Sequence, residues 1–259
     1  MPITHTLDAF SKGGVFGCQS QQRDWSPYLV HLTSWKEMTP LREALYQKNK
    51  RLASRLPMYV HRALPTADQK SFEVFQAIMQ GGFLKCGSPN EKKHLPECVC
   101  FAECNLPGLI SHAERYGRFG FVFEKLDLFN DKDLKARPCL YLEKTMYNAI
   151  KSCKCTTQLL HRYLFGLSNV YNPNPNWQKK KQDYTHEREW RVFANVPLLD
   201  HLKAVLCPKE YVSSVVGELN AWVARERASA KEKNRTPESV PDASNYPVIP
   251  LDMLFEWGA

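Results

Sequence analysis

The sequence predicts an α+β fold with a single sheet core and packed helices, on three observations. Short runs rich in aromatic and β-branched residues, above all Phe119–Phe123 and Trp190–Ala194, have the composition of strands. Two segments, after Pro65 and after Pro208, keep their apolar residues at helical spacing. Neither an internal repeat, a heptad array nor a Gly-rich phosphate loop is present, which sets aside solenoids, coiled coils and P-loop enzymes. At 259 residues the chain is long enough for one large domain or two small ones.

Residues 1–27, with Gly13, Gly14 and several glutamines, read as an irregular N-terminal segment. The α+β core then spans 28–224. Its first strand is Tyr28–Thr33, followed by a basic helix over 41–56 that stops before Pro57. Thr66 to Gln69 fits a capping box, and Phe72, Phe75, Ile78 and Met79 continue the helix until Gly81 and Gly82 end it. Val99–Ala102 reads as a strand, Leu106 to Ala113 as a short helix closed by Gly117, and Cys139–Leu142 as a further strand. A polar loop is expected between Phe123 and Pro138, and residues 143–165 read as mostly helical. The prolines, asparagines and lysines of 171–181 exclude regular structure. Val212, Val215, Val216, Leu219, Trp222 and Val223 form one apolar stripe on a helix that docks on the sheet. Residues 225–245 read as a flexible excursion, and 246–259 as an extended C-terminal tail or edge strand.

No apolar run approaches the roughly 20 residues of a bilayer-spanning helix, and Met1–His5 does not begin a signal peptide. Nine cysteines, an odd number in a chain too long to need disulfide staples, point to free thiols and a cytoplasmic location. The net charge of +8 suits nucleic acid or an anionic cofactor as partner and proves neither.

The densest chemical signal is Tyr184 to Arg191. Strand alternation puts Glu187, Glu189 and Arg191 on one face and Arg188, Trp190 and Val192 on the other. Two carboxylates beside a guanidinium can stabilise developing positive charge or act as a base; the same residues can also be an ion-paired support. Arg118, between Gly117 and Phe119, can meet a phosphate or be an exposed charge at a strand start. Tyr116 and Phe119 are binding-site aromatics or ordinary core. His94, Cys98, Cys100 and Cys104 lack a paired Cys-x-x-Cys arrangement, so no metal is expected there. Basic clusters at Lys48 to Arg55, Lys179 to Lys181 and Arg225 to Arg235 are candidate nucleic-acid contacts, or solubilising charge.

Three short motifs carry a resemblance. Cys100-Phe101 with Glu103, Arg115-Tyr116-Gly117 with Phe119-Gly120 and Phe123, and Glu187 through Arg191 occur in an order similar to that of the bacterial AbiGi abortive-infection family. The likeness covers roughly residues 28–195. It implies a phage-defence protein, with a toxin–antitoxin relationship to a cognate partner. More distantly, a first-strand histidine, mid-sheet aromatics and a late glutamate look like the ADP-ribosyltransferase fold. That likeness implies NAD as cofactor, with His31 on its ribose, Tyr116 and Phe119 framing the nicotinamide, and Glu187 or Glu189 steadying a ribosyl oxocarbenium. Arg191 would orient the carboxylates. The sequence lacks that fold's Ser-Thr-Ser triplet.

Two functions of different kinds follow as expectations. One is an NAD-dependent ADP-ribosyltransferase or NAD glycohydrolase acting on a nucleic-acid or protein acceptor, with catalytic Glu187, Glu189 and His31 and cofactor contacts from His31, Tyr116, Arg118, Phe119 and Arg191. The other is a non-enzymatic antitoxin or sensor that binds a protein or nucleic-acid partner, the glutamates serving as support. A metal-assisted nuclease using Glu187, Glu189 and Asp183 is a third reading. The enzyme reading requires His31 and a late glutamate to face each other across one cleft.

Overall fold

A computed structural model of the chain describes residues 26–33, 65–86, 97–103, 108–109, 112–113, 116–143, 145–146, 148–149, 167–171, 188–232 and 236–253. The expected helix over 41–56, nearly all of the N-terminal segment, the 172–181 stretch and the basic clusters before residue 65 and at 179–181 lie outside them. The described residues form the α+β arrangement expected from the sequence, with a seven-stranded mixed sheet at its centre.

In chain order the elements are β1 (Tyr28–Thr33), α1 (Pro65–Gly81), β2 (Phe83–Leu84), β3 (Val99–Ala102), β4 (Phe119–Glu124) and α2 (Lys125–Asn130). Next come β5 (Arg137–Pro138), β6 (Leu140–Glu143), β7 (Ser168–Tyr171), β8 (Glu189–Val192), β9 (Val196–Pro197) and α3 (Leu198–His201). The last are β10 (Leu202–Cys207), α4 (Val212–Glu232) and β11 (Val248–Pro250). The sheet runs β11-β10-β4-β1-β3-β8-β5, antiparallel throughout except for the β10–β11 edge.

Alternation divides the sheet's residues between two cores. Leu29, Phe101, Phe119, Phe121, Phe123, Val192 and Val205 point to one face, where α1 contributes Phe72, Phe75 and Met79 and α4 contributes Val215, Leu219 and Trp222. Phe75 lies 4.9 Å, centroid to centroid, from Phe121 in a stacked pair. The opposite face carries Val30, Val122, Ala204, Leu206 and Ile249, packed with Leu109 and Ala113. Both faces are buried, so β4 reads as a continuous apolar run with little period-two pattern.

Gly120, opposite Leu32 in the β1–β4 register, leaves no room for a side chain. A Cβ there would stand 2.8 Å from Leu32 Cδ2 and 3.1 Å from the His31 carbonyl oxygen, too near for any side chain without movement of β1. Gly82, at φ 72°, lets the chain leave α1 in a conformation other residues avoid.

Two expectations need correction. Residues 225–245 are not a flexible excursion: α4 continues to Glu232, and two short 3-10 turns at Pro237–Ser239 and Ala243–Asn245 return the chain with Val240 and Tyr246 buried. Alanines and long charged side chains are good helix formers, so the charge of this stretch marks a solvated helix face. The polar loop after β4 contains α2, which buries Leu128. Of the two readings of 246–259, the edge strand is the one seen: β11 pairs with β10 at the edge of the sheet. The strand β10, between β4 and β11, went unrecognised in the sequence. Among the described residues no helix is long and apolar enough to cross a membrane.

Candidate functional site

The registers decide whether the expected cleft exists. Val30 pairs with Ala102, and Ala102 pairs with Glu189, so these three side chains share the face opposite the α1 and α4 helices. His31 is the neighbour of Val30 and pairs with Phe121, which places it on the helix-covered face. His31 and Glu189 therefore lie on opposite faces of the sheet. The His31 ring sits edge-on to Phe101 at 5.9 Å, and its Nδ1 lies 2.8 Å from the Cys100 carbonyl oxygen, a bond in which Nδ1 donates. Burial lowers its pKa, opposed by that hydrogen bond, so the neutral imidazole is favoured.

Glu189 and Arg191 do share a face, as alternation predicts, and they bind each other. Arg191 Nε donates to Glu189 Oε1 at 2.8 Å and its Nη2 to Oε2 at 2.9 Å. The two side chains are only 12% and 8% exposed. Burial works against the Arg191 charge, but the hydrogen bonds and charge of Glu189 outweigh it and raise the pKa. With both oxygens engaged, the carboxylate is a counter-ion for Arg191. Glu187 and Asp183 lie outside the described residues.

The remaining predicted contacts disperse. Arg118 is surrounded by carboxylates: Asp68 at 2.6 Å, Glu210 at 2.7 Å and Asp252 at 2.9 Å. It ties α1, the turn before α4 and the C-terminal segment together, and three acids beside it repel a phosphate. Phe119 is fully buried against Phe72, Phe75 and Tyr211. Tyr116 lies outside the sheet, stacked on His112 at 5.7 Å. Among the described residues, His31, Tyr116, Phe119, Arg118 and Glu189 do not meet in one hollow.

A different hollow is present at the end of the sheet where β3, β8 and α2 converge. It measures about 540 Å³ and is lined by Glu103, Lys125, Phe129, Tyr141, Arg188 and Trp190 among others, a size suited to a small ligand. Strand alternation turns Trp190 away from Glu189 and Arg191 and toward Glu103, which continues the parity of Val99 and Phe101. The indole Nε1 donates to Glu103 Oε2 at 2.8 Å, and Lys125 Nζ bonds Glu103 Oε1 at 3.0 Å. Lys125 also lies 5.7 Å from the Trp190 ring centroid, and Phe129 meets that ring edge-on at 6.4 Å.

The backbone supports this arrangement. Glu103 N–H donates to the Arg188 carbonyl at 3.2 Å, and Arg188 adopts φ 41°, a left-handed turn in which the chain enters β8. The Tyr141 hydroxyl accepts from the Glu189 N–H at 2.8 Å, joining β6 to β8. Glu189 borders the hollow, but its carboxylate is held by Arg191. The cavity wall is mostly apolar and aromatic, with one fixed carboxylate and cationic side chains beside it, which fits a planar heteroaromatic ring bearing an anionic group.

Sequence reasoning quoted Glu103 in a motif and Trp190 as a strand residue but gave neither a site role. The shared parity of Phe101, Glu103 and Trp190 was the available signal. Among the described residues no cluster of three His, Cys, Asp or Glu side chains is arranged to hold a metal ion. No protein-family model, curated protein or solved structure matches this chain.

Proposed function

We propose that this chain is an AbiGi-like phage-defence protein that works by binding, as a sensor module whose ligand is a nucleotide or nucleotide-like anion held in the Trp190 cavity. The observation that carries the reading is the alternation along β8. It closes Glu189 and Arg191 onto each other and presents Trp190, backed by Glu103 and Lys125, to a hollow of ligand size. A base stacking on the indole contributes about 1–3 kcal/mol, and Lys125 and Arg188 attract the anionic end. The three motifs support the defence role; Glu103 and Trp190 each belong to one of them.

The test is calorimetric titration of the full chain with nucleoside mono- and diphosphates and with short single-stranded oligonucleotides. Trp190→Ala is expected to weaken binding about tenfold or more, the loss of one stacked base. Binding is also expected to weaken as salt rises. The reading fails if none of these ligands binds, or if the chain releases nicotinamide from NAD at a rate that Glu189→Gln abolishes.

A further inference from the structure

We propose that Cys98 and Cys100 form an oxidisable dithiol, a modification site at which hydrogen peroxide produces a reversible intrachain disulfide. The two residues flank Val99 at the start of β3, and period-two alternation puts both thiols on the face of Glu189 and Arg191. Their sulfurs are 3.7 Å apart, in hydrogen-bond contact and within a small rotation of the roughly 2.05 Å of a covalent S–S bond. Cys100 is exposed and Cys98 half-buried, so an oxidant the size of peroxide reaches the pair.

The backbone allows the bond to close. Val99, paired with Val192, is the first residue of the β3 ladder, so Cys98 lies one residue outside it and can shift while Cys100 stays in register with Arg191. The pair is also chemically asymmetric. The hydrogen bond between the two thiols, with the nearby Arg191 charge, holds the Cys98 thiol below its ordinary pKa against burial and the charge of Glu189. Although Cys100 reaches the surface, neighbouring groups desolvate its thiol, and the same hydrogen bond, that desolvation and the charge of Glu189 push its pKa well above the ordinary value. Cys139 and Cys207 contrast with this, being buried with pKa values pushed up by desolvation.

The steps balance. The Cys98 thiolate attacks one peroxide oxygen and the O–O bond breaks. Cys98 is oxidised by two electrons to the sulfenic acid, and the departing hydroxide takes up the proton Cys98 had released, giving water. The Cys100 sulfur then attacks the Cys98 sulfur, the S–O bond breaks, and the leaving hydroxide takes the Cys100 proton as a second water. One peroxide and two thiols become one disulfide and two waters, and a dithiol reductant reverses the change.

The experiment treats the full chain with hydrogen peroxide, blocks remaining thiols and maps peptides by mass spectrometry with fragmentation. The expected product is a Cys98–Cys100 linkage, two hydrogens lighter than the dithiol and restored by dithiothreitol. In Cys100→Ser the sulfenic acid at Cys98 has no partner there and is expected to be captured by dimedone; in Cys98→Ser position 100 captures none. On the unaltered chain, brief alkylation is expected to label Cys98 several-fold faster than Cys100, since the thiolate is the reacting form. Thiols at 98 and 100 still reduced after treatment, or a bond from either to another cysteine, would overturn the proposal. Equal alkylation rates would overturn the assignment of Cys98 as the attacking thiol whether or not the serine variants fold.

Discussion

Replacing Glu189 by glutamine tests the central structural claim about β8. The substitution keeps the size and one acceptor oxygen but removes the negative charge that Arg191 Nε and Nη2 bind, beside a guanidinium in a side chain only 8% exposed. Removing one member of a buried ion pair costs about 3–5 kcal/mol, and the retained acceptor places Glu189→Gln at the lower end, about 3 kcal/mol. Arg191→Met in the same chain removes the guanidinium as well, so the double variant is expected to lie within about 1 kcal/mol of the parent. That leaves a coupling of about 2 kcal/mol or more. Urea unfolding followed by circular dichroism, with an unchanged denaturant slope as control, reads these values directly. The reasoning is refuted if Glu189→Gln shifts stability by less than about 0.5 kcal/mol, as a solvated surface pair would. It is refuted more decisively if the parent chain releases nicotinamide from NAD and such a stable variant does not, because Glu189 would then be acting in chemistry.

Gly120→Ala is expected to cost about 1–3 kcal/mol in urea unfolding, since its Cβ would meet Leu32 and the β1 backbone; an unchanged midpoint would mean that β1 yields freely. The folded-state pKa of His31 lies below its ordinary 6.5 because burial disfavours the cation. Its stability contribution is therefore fully present above pH 6.5 and is lost as the pH falls through the depressed value. His31→Gln, which keeps a donor for the Cys100 carbonyl, should flatten that acid limb in stability measured against pH, and an unaltered limb would contradict the assignment. Arg118→Leu strands Asp68, Glu210 and Asp252 at partly exposed positions, so about 1–2 kcal/mol is expected at low salt and less at high salt. Inorganic phosphate should not stabilise the parent chain in thermal melts; a phosphate-dependent rise abolished by Arg118→Leu would restore Arg118 as an anion site.

Local composition revealed the elements whose residues carry a one-sided or strongly β-forming pattern. Tyr28–Thr33, Val99–Ala102 and Phe119–Glu124 are strands where aromatic and β-branched residues predict them, and α1 follows from the spacing of Phe72, Phe75 and Met79. The strand Leu202–Cys207 is not legible because Leu198 through Cys207 is a short stretch whose apolar residues, broken by Asp200, His201 and Lys203, are compatible with helix or strand. The chain uses it as both, one helical turn and then a strand fixed by β4 and β11, partners remote in sequence. The end of α4 is hidden for the opposite reason: the charge of Arg225 to Glu232 resembles that of a solvated loop, although most of these residues are good helix formers.

The site was legible as far as alternation reaches. Parity along Glu189, Trp190 and Arg191 is fixed by the strand itself, and the structure agrees with it. Which face meets a cavity depends on strand order, since Trp190 finds Glu103 only because β3 lies beside β8, and Lys125 joins them only because α2 follows β4 directly. The same logic separates two clusters that are adjacent in sequence. Glu189, Arg191 and the Cys98–Cys100 thiols occupy one side of β8 and β3, while Trp190 and Glu103 occupy the other. Conservative changes on the first side are thus expected to register mainly in stability and thiol reactivity, and changes on the second mainly in ligand affinity. Variants in which binding and stability always moved together would show that the strand between the clusters does not insulate them, and that Arg191 shapes the cavity from behind.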